Sequence, residues 1–111
     1  MRDSNSELAM LRTHWPDAEL LGEGERLFAL IPNLKVSSEQ GTKTVAALLR
    51  PWQDGDGYCT RLFFSERFTT KGANWNVFSI LGRTWHGCSW NGVPADLTWV
   101  EIMANHLAPL Q

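Results

Sequence analysis

The sequence predicts an α+β fold in which a short N-terminal helix, four strands in an antiparallel meander, a long ordered loop and a C-terminal helix follow one another. Three observations predict it. Helical spacing with capping signals occurs at both ends of the chain. The runs between them are apolar and bounded by turn residues, and no helical segment intervenes between those runs, as a parallel βαβ arrangement would require. At 111 residues the chain is expected to form one domain, 1–111, with room for one site.

The elements follow from the punctuation. Ser4 with Glu7 three residues on forms a capping box, and Leu8, Leu11 and Trp15 continue at helical spacing until Pro16 stops the pattern. After the turn-rich LLGEGE, the run RLFALIPNLKV reads as a strand that Pro32 kinks or ends, because proline cannot donate to a ladder. TVAALLR also suits a helix, but its short length and flanking turns favour a strand. PWQDGDG is a loop, and YCTRLFF a strand that includes Cys59, with Tyr58, Thr60, Leu62 and Phe64 on one face and Arg61 and Phe63 on the other. WNVFSILG carries apolar residues on both faces and reads as a strand covered on two sides. From Arg83 to Ala95 the periodicity dissolves into an ordered loop, since its tryptophans are costly to leave in water. The last helix has Thr98 and Glu101 as a capping box, Leu97 and Ile102 as a hydrophobic staple, and a stripe of Trp99, Ile102, Met103, His106, Leu107 and Leu110.

Composition narrows the function. A net charge of −2 with 20% charged residues gives no positive field for phosphates, so nucleic acid is not an expected partner. No apolar run reaches the ~18 residues of a membrane span, and MRDSNSELAM has no signal-peptide core. A cytoplasmic setting with Cys59 and Cys88 reduced is the expectation. Cys88 stands out, flanked by Gly87 and Ser89, and reads either as a nucleophile or as the buried small hydrophobe that free cysteine usually is. His86, two residues earlier, is treated as a neighbour that shapes the loop. His-x-Cys is half of a zinc ligand set, but no C-x-x-C or H-x-x-x-H spacing completes it, so neither metal nor cofactor is expected. His106 reads as a satisfied core histidine, and His14 as a cation at a helix C-terminus. Trp85, Trp90 and Trp99 could form a Trp-rich ligand-binding platform for sugars, against the plainer reading that they pack the loop onto the last helix.

TVAALLRPW, GYCTRLFF, ILGRTWHGCSWNGV and TWVEIMANHLAPL together resemble the bacterial E2-like proteins of the ubiquitin-conjugating (UBC-like) superfamily. The resemblance runs from about Gly24 to the end and implies a UBC-like fold, with Cys88 in the active-site loop after the meander. It implies a transferase in which Cys88 accepts a ubiquitin-like protein from an E1-like enzyme as a thioester and passes it to a target amine. An E2-like adaptor that binds E1 or the ubiquitin-like partner without chemistry is the alternative. Further implied are a JAB-type deubiquitinase in the same system, a place in antiphage defence, and partner contacts at Trp85 and Trp90. The His-Pro-Asn motif that supplies the oxyanion donor in eukaryotic E2s is missing, which leaves Asn74, Asn76 and Asn91 as candidates without a motif match.

Overall fold

The structure, a computed structural model, describes residues 3–23, 26–38, 41–53, 57–67, 75–88 and 92–108. Its elements are α1 (Ser4–Arg12), β1 (Glu19–Glu23), β2 (Arg26–Ser38), β3 (Gly41–Arg50), β4 (Arg61–Phe64), β5 (Trp75–Ile80), β6 (Arg83–Cys88) and α2 (Trp99–Leu107). The strands form one six-stranded sheet in the order β1-β2-β3-β4-β6-β5, and every pairing is antiparallel. The expected UBC-like arrangement of a four-stranded meander followed by an active-site loop is therefore corrected. ELLGE, which reads as a turn, is the edge strand β1, and RTWHGC, which reads as a loop, is β6, inserted between β4 and β5.

Both helices lie over one face of the sheet. Leu8 and Leu11 of α1 and Trp99, Ile102 and Met103 of α2 pack on Ala29, Ile31, Leu34, Val36, Val45, Ala47, Leu49, Leu62 and Phe64. The opposite face buries Phe28, Leu30, Leu48, Phe63 and Trp85, with Trp52, Phe78 and Ile80 packed around them. Because β3 and β4 are covered on both sides, their sequences run apolar without alternation. Each large side chain removed from water contributes about 1.5–3 kcal/mol, so the two clusters hold the sheet from both faces.

Local chemistry fixes the ends. The capping box of Thr98 and Glu101 forms as expected. At α1 the cap is Asp3, one residue earlier than expected, accepting from the Asn5 amide at 3.4 Å. Glu7 is thereby freed for another use. Its carboxylate is buried and accepts the Trp99 amide at 2.8 Å, tying α1 to the first turn of α2, where the helix dipole favours negative charge. Pro32 does not end its strand; β2 runs on through a register shift between Ile31 and Leu34 that absorbs the missing donor. Cys59 lies ahead of β4 instead of within a strand, and β5 is an exposed edge instead of a strand covered on both sides.

Candidate active site

β6 carries the sequence's most distinctive residues, and its hairpin with β5 sets their positions. The turn between Ile80 and Arg83 has only two residues, Leu81 at φ 54° and Gly82 at φ 73°, the positive values that a tight right-twisting hairpin needs. Leucine tolerates this poorly, and Leu81 is held there by packing half-buried against the Phe28–Trp85 cluster.

From that turn the strand alternates. Trp85 is 1% exposed; its indole N–H donates to the Ile80 carbonyl at 3.3 Å, and the Arg83 guanidinium lies 4.8 Å over its ring. A ring so enclosed leaves no face for a sugar, and Trp99 is buried in the cluster on the opposite side of the sheet, so the two tryptophans make no common platform. His86 stands opposite Phe64 on one side and Val77 on the other, and its Nδ1 is buried with no hydrogen-bond partner among the described residues. An orphaned buried ring nitrogen costs about 1–3 kcal/mol, so it calls for a use.

Among the described glycines, Gly87 has the closest neighbours. A Cβ there would stand 3.0 Å from Phe63 Cδ1, 3.1 Å from Phe78 Cε2 and 3.3 Å from Arg61 Nη2. The two phenyl rings meet edge to face at 5.0 Å. The buried Arg61 guanidinium lies between the rings of Tyr58, at 4.3 Å, and Phe78, at 4.6 Å. Its cross-strand neighbour Arg50 is buried too, donating from Nε to the Trp52 carbonyl at 2.9 Å and from Nη2 to the Tyr58 carbonyl at 2.8 Å. Cys88 is the last residue of β6, paired with Trp75. Its side chain, together with Asn74, Asn91 and Trp90, lies outside the described residues. Asn76 pairs with Gly87 and is exposed, one residue out of step with the Trp75–Cys88 pair.

Beyond β6 the chain is anchored by a buried polar relay. The Thr60 hydroxyl donates to the Val93 carbonyl at 2.9 Å and sits 2.8 Å from His106 Nε2, which leaves its lone pair to accept from an Nε2–H tautomer. Burial, and then the charges of Arg61 and Arg50, lower the His106 pKa from 6.5 to about 4, so the imidazole is neutral at pH 7. The entry to β4, the segment entering α2 and α2 itself are joined through these three residues.

A separate groove of about 260 Å³ lies where α1 ends against the β2 bulge, between Trp15, Ile31 and Pro32, with His14 and Lys35 on its rim. Two of its lining residues are joined, the Asn33 amide donating to the Asp17 carboxylate at 3.3 Å. Among the described residues no group of three histidine, cysteine or acidic side chains is placed to hold a metal, and no helix is long and apolar enough to cross a membrane.

The structure thus brings His86 and the Cys88 backbone onto one strand and sets Asn76 one residue out of phase with that pair. The roles of Arg50, Arg61 and Thr60 escape sequence reasoning, and Glu7 reads there only as half of a capping box. The only hint was polar residues interrupting strand ends, as in LLR and TRLFF. Searched against protein-family models, curated proteins and solved structures, the chain matches none.

Proposed function

We propose that the chain is a carrier that accepts a ubiquitin-like protein from an E1-like enzyme as a thioester on Cys88 and passes it to an amine of a target. The strand placement of Cys88 removes the argument from an E2 active-site loop. The reading is supported instead by the local residues, RTWHGCSW, and above all by the unpartnered Nδ1 of His86 two positions before Cys88. Residues two apart on a strand stand roughly 6.6 Å apart along it, a separation that a proton relay through one water can span.

In that role His86 takes the Cys88 proton as sulfur attacks the donor thioester. A new carbon–sulfur bond forms through a tetrahedral oxyanion, the old one breaks, and the donor's thiol leaves after regaining a proton. In the second transfer the amine attacks the Cys88 thioester, His86 takes the amine's proton, and the Cys88 thiolate leaves. The Thr60–Val93–His106 relay would hold the chain beyond Cys88 in place while the acyl group changes.

With the cognate E1-like enzyme, ubiquitin-like protein and ATP, the chain should form an adduct that a reducing agent removes, and Cys88→Ser should abolish it or convert it to a reductant-stable ester. Binding to either partner with no adduct, unchanged in Cys88→Ala, would replace the carrier with a noncatalytic adaptor.

A further inference from the structure

We infer that the outer edge of β5 is a docking strand for the extended C-terminal tail that Cys88 accepts, added antiparallel so that the tail ends beside Cys88. The inference rests on the reading of Cys88 as the acyl acceptor.

The two edges of the sheet differ in kind. β1 is five residues, ELLGE, with Glu19 and Glu23 at its ends, and charged short strands are how proteins blunt an edge. β5 is WNVFSI, with no charge, no proline and no glycine, and no strand of the described residues lies outside it. Val77 on this edge is 59% exposed, the most exposed large hydrophobic residue described.

Its backbone groups are also turned the right way. A two-residue hairpin closes on a pair that exchanges both main-chain hydrogen bonds, and bonded pairs alternate along an antiparallel ladder. Counting from Ile80–Arg83, the bonded pairs are Phe78–Trp85 and Asn76–Gly87, which leaves Val77 and Ser79 directing their N–H and C=O groups to the open edge. An extended peptide pairing there gains main-chain bonds without needing a particular sequence.

Direction supplies the link to Cys88. β5 runs from Trp75, level with Cys88, to Ile80 at the hairpin turn. A tail added antiparallel enters at the Ile80 end and delivers its C-terminus at the Trp75 end. Two strand spacings of ~4.8 Å then separate it from Cys88, a gap that about three extended residues cross. A parallel tail would deliver its C-terminus to the far end of the hairpin. The occupant is therefore an extended protein C-terminus with at least six or so flexible residues.

The probe is an acetylated seven-residue peptide of alternating threonine and valine ending in two glycines, supplied as a thioester and compared with the thioester of acetylglycine, both on a Cys59→Ser chain. The peptide is expected to acylate Cys88 at least tenfold faster, and Ser79→Pro or N-methylation of the peptide's alternate amides should erase that advantage while leaving the acetylglycine rate unchanged. With the peptide as its free acid and Cys88→Ser protein, amide resonances of Val77 and Ser79 should shift, and a nitroxide at the peptide N-terminus should broaden Ile80. Equal rates for the two donors with unshifted Val77 and Ser79 would overturn the docking strand and leave the carrier intact. Broadening at Trp75 instead of Ile80 would overturn the direction. A dimer that Ser79→Pro splits into monomers would assign the edge to a second copy and overturn the proposal. Failure of both donors to acylate Cys88 removes the carrier reading, and the resonance shifts alone then decide whether the edge takes a peptide.

Discussion

Acid should unfold this protein through His106, and the size of the effect follows from the relay around it. In the folded chain the ring is buried beside Thr60, and its pKa falls from 6.5 to about 4 through burial and the nearby charges of Arg61 and Arg50. Between those two values the unfolded chain takes up a proton that the folded chain refuses. Stability is therefore fully present above pH 6.5 and is lost progressively as pH falls to about 4, below which both states are protonated. At ~1.4 kcal/mol for each pH unit, the loss attributable to this one ring is roughly 3 kcal/mol. Urea titrations read by the fluorescence of the buried Trp85 and Trp99 give the stability at each pH. His106→Gln removes this ring alone, so the difference between the two profiles isolates the imidazole. The parent should lose about 3 kcal/mol more than the variant between pH 7 and 4. Parallel profiles would show that the ring is hydrated or already charged in the folded state, and the relay as described would be wrong.

Three substitutions test the buried contacts that hold the sheet and the helices together. Thr60→Val keeps the shape but strands the Val93 carbonyl and the His106 N–H; the expected loss of unfolding free energy by urea titration is about 2–4 kcal/mol, while Thr60→Ser stays near the parent. Gly87→Ala drives a methyl group into Phe63 and Phe78 and should cost about 1–3 kcal/mol, visible as a lowered melting temperature; a neutral result would mean that the phenyl pair is loosely held. Glu7→Ala leaves the Trp99 amide without its acceptor and should cost about 1–3 kcal/mol, whereas Glu7→Gln, which keeps the carbonyl oxygen, should lose clearly less by the same titration.

The legible parts of the fold were those with local chemistry. Thr98 and Glu101 announced α2 because a capping box is written within four residues, TVAALLR announced a strand through its short length and flanking turns, and WNVFSI did so through apolar residues on both faces. RTWHGC hid because Gly87 breaks any apolar alternation, yet the glycine is there to admit Phe63 and Phe78 from other strands, a demand no local pattern reveals. ELLGE hid because Glu19 and Gly22 lie exposed on an edge strand. Pro32 suggested a break that the register shift in β2 accommodates. At the candidate site, Cys88 and His86 were legible as residue types, but their sharing of a strand and the orphaned Nδ1 of His86 depend on pairing with β4 and β5. The buried Arg50–Arg61 pair depends likewise on cross-strand register.

The proton relay from Cys88 to His86 is tested most directly by the rate at which acetylglycine thioester acylates Cys88 in a Cys59→Ser background, followed by intact mass. The folded chain should react faster than the same chain in urea, and His86→Gln should lower the folded rate by about 10–100-fold without changing the unfolding free energy by more than ~1 kcal/mol. Equal rates in the folded chain, the unfolded chain and the His86 variant would contradict the relay and leave Cys88 an ordinary thiol.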